Sequence, residues 1–304
     1  MNITASIIHI LLALTLSPLL MGIINRVKAK FAGRKGQPLL QPYYDLIKLL
    51  KKGSVYSATA TWVFRMGPVL GVSAIIISIM IIPSGGTGGL LSFTGDFIFM
   101  AYALGLARFV TVLAAMDTGS AFEGMGASRE VQFSIISEVV LLLGLAVLAI
   151  GTQNISLSGI YAGLWSNSAS PLGPVAFLVA FALLIVLLTE NARIPVDDPN
   201  THLELTMIHE VMVLDHGGVD LAFIQYGASL KLWLFSALLV GIAVPFRSGI
   251  PYTDMAVNIT GIFAVAVLVG IIESGMARLR LLHVPQMLLA ALSVTIAALL
   301  WILR

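Results

Sequence analysis

The sequence predicts an all-α, polytopic membrane protein of about eight transmembrane helices, with one amphipathic helix lying at an interface. Three observations predict it. The 304-residue chain is 58% hydrophobic and 11% charged, more apolar surface than a soluble domain of that length can hide. Eight stretches along it approach the roughly 20 apolar residues needed to cross a bilayer. Its charges gather in alternate connecting segments.

Taken in order, the spans fall near 3–25, 62–83, 94–116, 131–151, 172–190, 222–245, 254–276 and 285–303. The first has no basic residue before Arg26, so it reads as a transmembrane helix rather than a cleaved signal. The segment that follows, 26–61, holds Arg26, Lys28, Lys30, Arg34, Lys35, Lys48, Lys51 and Lys52 against one acid, Asp45. Segments 84–93 and 152–171 carry no charge, whereas Arg129, Arg193, Arg278 and Arg280 fall on the same side as 26–61. By the positive-inside rule that side is the cytoplasm, and both termini lie outside. The expected cytoplasmic loops are 26–61, 117–130, 191–221 and 277–284 of a single transmembrane domain, 1–304. It has no internal repeat. For a bacterial-type cell this places the chain in the inner (plasma) membrane.

Within the first loop, "QPYYDLIKLLKKG" sets Tyr43, Leu46, Ile47 and Leu50 on one helical face and Asp45, Lys48 and Lys52 on another. Pro42 suits a first turn and Gly53 a C-terminal stop. This is the interfacial helix, which either anchors to lipid headgroups or receives a peripheral protein.

Ionisable side chains inside spans are expensive, so each is a candidate functional residue. Glu138, Arg108 and Lys231 lie about 10, 12 and 14 Å from the cytoplasmic ends of their spans, at 1.5 Å per residue. Glu190 and Glu273 lie within about 5 Å of that boundary. All five occupy the cytoplasmic half, and the outer half is expected to offer only His9, a packing histidine. Two readings stand side by side: static ion pairs between helices, such as Glu138 with Arg108 or Lys231, and an inward-opening hydrated cavity that exchanges protons.

The segment "ENARIPVDDPNTHLELTMIHE", from Glu190, adds Arg193, Asp197, Asp198, Glu204 and Glu210 on that same side. Leu203, Met207, Ile208, Val211 and Leu214 mark an apolar face, so it is expected to fold back against the bundle. His202, His209 and His216 are spaced by seven, about 10.5 Å per step on a helix, too far to chelate one metal ion. No strand–turn–helix elbow presents a nucleophile, and "SGGTGG" at 84–89 lacks the lysine of a phosphate loop. The chain has no cysteine, which removes iron–sulfur ligation, thiolate zinc sites and disulfides. No metal or cofactor is expected in this chain. With a net charge of only +2, no nucleic-acid partner is expected.

These residues resemble a known family. "GRKGQPLLQPYYDLIKLLKK", "MDTGSAFEGMGASRE" at 116–130, "YGASLKL" at 226–232 and "ESGMARLRL" at 273–281 are similar to the membrane subunit shared by respiratory complex I, its H subunit or NADH dehydrogenase subunit 1, and by energy-converting NiFe hydrogenases, formate hydrogenlyase included. The likeness covers almost the whole chain and is nearer to the hydrogenase branch. After the fifth span, Glu190, Arg193, Pro195, Asp197 and Glu204 match the family pattern. Val196 stands at its aromatic position, Asn200 and His202 replace two glutamates, and Asp215-His216-Gly217-Gly218 replaces a later acidic element. Several acids that complex I places near its quinone cavity are therefore missing.

The resemblance implies a membrane-anchoring and coupling subunit that links redox chemistry in a peripheral cytoplasmic arm to proton or sodium translocation. It implies NiFe and iron–sulfur centres on peripheral large and small subunits, none on this chain, and antiporter-like membrane subunits as further partners. The expected coupling residues are Arg108, Glu138, Glu190, Arg193, Asp197, Glu204, Lys231 and Glu273. The expected docking residues are Lys35, Tyr43, Asp45, Lys48, Asp117, Arg129, Glu130, Arg278 and Arg280. Three other readings remain: a quinone-site subunit with a chamber between the first and sixth spans, an autonomous ion transporter, and a purely structural anchor.

Overall fold

With no water in the hydrocarbon to bond backbone groups, each apolar stretch closes its own hydrogen bonds as a helix. The computed structural model describes residues 3–84, 86–166, 172–197, 207–244 and 248–304. Among these residues, eight helices are long and apolar enough to span: α1 (Ile3–Phe31), α3 (Trp62–Ile81), α4 (Asp96–Asp117), α5 (Ala121–Thr152), α7 (Leu172–Glu190), α8 (Gly218–Ala243), α9 (Pro251–Gly275) and α10 (Val284–Leu303). Two shorter helices accompany them, α2 (Gln41–Leu50) and α6 (Leu157–Ser166). The chain is a multi-pass membrane protein.

The most buried of the spans, α8, sits in the middle. α8 packs against α1, α2, α3, α7 and α9, and Trp233, Leu234 and Phe235 along it are buried. Small residues let neighbours close in: an added Cβ at Gly261 of α9 would stand 2.6 Å from Val240 of α8, and one at Gly270 would stand 2.8 Å from Val27 of α1.

Element ends differ from the sequence expectation in instructive places. α5 begins at Ala121, so the expected 117–130 loop shrinks to Thr118–Ser120, and Arg129 and Glu130 are helical. A 32-residue helix is about 48 Å long, more than a bilayer core of about 30 Å, and its charged first turns extend past the hydrocarbon. α6 occupies part of the uncharged 152–171 segment, too short to span and so invisible to a search for spans. The interfacial helix α2 has three faces. Tyr43, Leu46 and Leu49 turn partly toward the bundle, Tyr44, Ile47 and Leu50 stay exposed, and Asp45 and Lys48 take the third side. Ile47 and Leu50 therefore do not share the packed face of Tyr43 and Leu46.

The end of the bundle without basic loops is not bare. Asp96 is fully buried, and its Oδ1 accepts from the Leu157 amide at 2.6 Å. Asp254, also buried, accepts from the Ser248 amide and hydroxyl, each at 2.7 Å. His9 is 3% exposed and packs beside Ser6, Ser84 and Thr87. The expectation of His9 alone overlooked both aspartates because they stand at helix ends, where they tie down connecting segments.

Candidate functional site

Four helices bring four of the five intramembrane charges, Arg108, Glu138, Glu190 and Lys231, together. Arg108 reaches from α4 and contacts three carboxylates: Glu190 at 2.5 Å, Glu138 at 3.2 Å and, through Nε, Glu130 at 3.7 Å. Lys231 of α8 holds the other Glu190 oxygen at 2.7 Å. The Ser137 hydroxyl donates to Glu190 as well. Three carboxylates thus face two cations. Glu190 is nearly sealed, whereas the Glu138 side chain keeps 30% of its surface exposed.

Beside this cluster lies a cavity of about 100 Å3, with room for several waters. α3 and α8 give it an apolar wall through Pro68, Val72 and Phe223, and its polar end carries Arg108, Glu130, Glu190, Asn191, His209 and Lys231. A second cavity of about 10 Å3 touches Glu130 and Glu190 from the other side and reaches Asp197. The two cavities share those two glutamates. A line of polar groups and small voids therefore runs from Asp197 through Glu130 and Glu190 to Lys231.

A separate cluster forms around Glu273 of α9. Lys28 of α1 binds it at 2.8 Å and Arg193 at 3.4 Å, and Arg193 also touches the Met21 sulfur. Among the described residues, one carboxylate here meets two cations, and the Glu273 side chain is wholly buried.

The connection after α7 folds back, as its apolar face implied, and is clamped along its described length. Asp197 binds Arg278 at 2.9 Å and accepts from the Ile208 and His209 amides at 3.0 and 3.3 Å. Arg129 donates to the Met207 carbonyl at 2.9 Å. Glu123, fully buried, accepts from the Asp215 amide at 3.0 Å. His216 stacks on Phe64 with centroids 3.8 Å apart, and Ser54 donates to the Gly217 carbonyl. Met207, Ile208, Val211 and Met212 are buried, but Leu214 is half exposed. The segment turns as a short 3₁₀ helix, Glu210–Val213, rather than a long α-helix, which shifts the buried face from Leu214 to Met212. Burial lowers the pKa of His209 and of His216, so both rings stay neutral below the usual imidazole range. Glu204, His202, Leu203 and Asp198 lie outside the described residues.

The residues expected to dock a partner divide. Lys35, Asp45, Lys48 and Arg280 are exposed. Tyr43 donates its hydroxyl to the Thr15 carbonyl of α1. Asp117 caps the start of α3, taking the Thr61 amide at 2.7 Å and its hydroxyl at 2.9 Å. Arg129 and Arg278 are spent on the folded-back connection, and Glu130 lines both cavities. Glu123 escaped the sequence reading, although Ser120 and Glu123 have the spacing of a capping box. Among the described residues, no three His, Cys, Asp or Glu side chains converge as a metal site.

Fold and site define a helical membrane protein whose charged cavity occupies one half of the bundle. The sequence pattern of the NADH dehydrogenase family matches residues 3–303, and the chain belongs to that family. It is 32% identical over 295 residues to formate hydrogenlyase subunit 4 of Escherichia coli K12, covering 94% of each chain. It is 32% identical over 297 residues to hydrogenase-4 component C of the same organism, covering 95% of this chain and 91% of that one. The fold matches a chain of an archaeal respiratory membrane complex, the membrane-bound sulfane sulfur reductase. That match has a TM-score of 0.79, 20% identity, and coverage of 98% of this chain and all of the other.

Proposed function

We infer that this chain is the membrane-anchoring and coupling subunit of a hydrogenase-type, complex I-related assembly. It links redox chemistry in a peripheral arm to translocation of H⁺ or Na⁺. Its relatives are named as a subunit and a component of hydrogenase systems, which favours a part of an assembly over an autonomous transporter. The basic end of the bundle faces the cytoplasm, both termini lie outside, and the membrane is the inner one. Peripheral large and small subunits, bearing the NiFe and iron–sulfur centres, dock at that end near Lys35, Lys48 and Arg280. Antiporter-like subunits lie alongside in the bilayer.

The observation that carries this reading is the pair of cavities joined at Glu130 and Glu190, with more acids than cations around them. An excess carboxylate in a low-dielectric, partly hydrated place is held by a proton or a mobile cation. Such a group changes occupancy when its cations shift. Asp197, under the docked arm, stands at one end of the line and Lys231 at the other. The quinone reading has less support, because the junction of α1 with α8 is occupied by Tyr226, whose hydroxyl bonds the Leu14 carbonyl at 2.8 Å.

The test is Glu138→Gln in the intact complex. Redox-linked ion transport is abolished while electron transfer from the donor to an artificial acceptor continues. Unchanged transport overturns the coupling role.

A further inference from the structure

Proline at position 18 stands inside α1 and has no amide hydrogen. The carbonyl four residues earlier, that of Leu14, therefore loses its helical donor. Tyr226 of α8 supplies one at 2.8 Å. The next carbonyl, Thr15, accepts the hydroxyl of Tyr43 of α2 at 2.5 Å. The Thr15 side chain bonds back to the Leu11 carbonyl at 2.8 Å, a contact that bends helices at the same place. One turn beyond the proline, Gly22 leaves space for the lead-in to α2. An added Cβ there would lie 2.1 Å from the Leu39 carbonyl oxygen. Three segments thus converge on one turn of α1, two of them through tyrosine hydroxyls on adjacent carbonyls.

The consequence lies further along α8. Lys231 follows Tyr226 by five residues, about 7.5 Å of helix, and holds Glu190 at 2.7 Å. α2 carries Lys48 on its exposed side, whereas α8 is buried along most of its length. A displacement of α2 would be passed through Tyr43 to this turn of α1, and through Tyr226 to the helix that carries the lysine.

We propose that Tyr43 and Tyr226 are positioning residues: joined at the turn of α1 that precedes Pro18, they make interfacial helix α2, α1 and α8 one lever that sets where Lys231 meets Glu190. This deepens the coupling reading and rests on it. It assigns work to two hydroxyls that lie outside the charged cavity.

The experiment uses Tyr43→Phe and Tyr226→Phe in the intact complex, with Glu190→Gln as reference. Ions moved per electron fall about two- to tenfold in each tyrosine variant, the factor that one hydrogen bond of typical net strength sets on a two-state balance. Electron transfer to an artificial acceptor is kept. The infrared band of the Glu190 carboxyl, assigned as the band missing in Glu190→Gln, shifts in Tyr43→Phe as well as in Tyr226→Phe. A hydroxyl that merely stabilises α1 would lower the melting temperature and leave that band in place. An unshifted band in both variants, or unchanged ions per electron, overturns the lever. If Glu190→Gln itself transports normally, the coupling reading fails instead, and the band shift still reports whether the mechanical link exists.

Discussion

Glu190 and Glu273 are both buried carboxylates near the basic end, and each is gripped by two cations, yet their surroundings differ. Glu190 shares Arg108 with Glu130 and Glu138, and a cavity of about 100 Å3 lies beside it. Among the described residues, Glu273 is held by Lys28 and Arg193, and Arg193 also touches the Met21 sulfur of α1. Among the described residues, the first site sets Glu130, Glu138 and Glu190 against Arg108 and Lys231, and the second sets Glu273 against Lys28 and Arg193. The two cations on the fully buried Glu273 join α1, α9 and the start of the folded-back connection. On the coupling reading proposed above, the first site is the one that changes and the second the one that holds.

The largest effect separating them is expected at Arg108. Arg108→Met strips a cation from three carboxylates at once, and breaking a buried network by removing one partner costs about 3–5 kcal/mol. Thermal unfolding of the purified complex reads this, together with loss of redox-linked transport. Next comes packing on the holding side. Gly270→Leu pushes a side chain into Val27, where even a Cβ would stand 2.8 Å away, and overpacking of this kind costs about 1–3 kcal/mol. Stability falls in that variant while ions moved per electron stay unchanged. Smaller still is Lys28→Met. The Lys28 side chain is 24% exposed and Arg193 remains on Glu273, so the loss is about 1 kcal/mol or less. Equal destabilisation by Arg108→Met and Lys28→Met would erase the distinction between the sites.

How much of this was legible beforehand follows from what a sequence encodes locally. The eight spans declare themselves through runs of apolar residues, and depth along each helix follows from counting, so the crowding of Arg108, Glu138, Glu190 and Lys231 toward one end needed no coordinates. Which acid meets which base depends on helix rotation and tilt, and these are set by contacts such as Gly261 against Val240. Glu130 therefore read as a surface residue of a loop, although α5 starts nine residues earlier and turns it into the cavity. Asp96 and Asp254 were overlooked for the opposite reason. Helix-end acids are common, and only the fold shows that both are buried and bonded to backbone amides. Pro18 was visible in the first span, but the two tyrosines that bond the carbonyls before it come from positions 28 and 212 residues away from those carbonyls.

The smallest expected effect concerns the clamp over the cavity, and pH reveals it. His216 lies flat on Phe64, and burial lowers its pKa, while Asp215 and Asp220 oppose that shift only in part. The folded state thus resists protonation that the unfolded segment accepts at the ordinary value of about 6.5. The ring's contribution is complete above that value and is lost as pH falls below it, because the open form then binds the additional proton. His209, lowered by burial against the pull of Glu130, adds to the same trend. Hydrogen exchange of the amides at Ile208, His209 and Asp215, which are tied to Asp197 and Glu123, should accelerate between about pH 6.5 and pH 5 beyond the change in intrinsic rate. His216→Phe keeps the stacked ring without the titration and flattens part of that dependence, leaving the share of His209. Among the described residues, the Lys28–Glu273–Arg193 cluster has no histidine in its ion pairs, so protection of the α1 and α9 amides around it is expected to stay constant across the same interval. If both regions loosened together, acid would be acting on the bundle as a whole, and the clamp would not be a separately adjustable part.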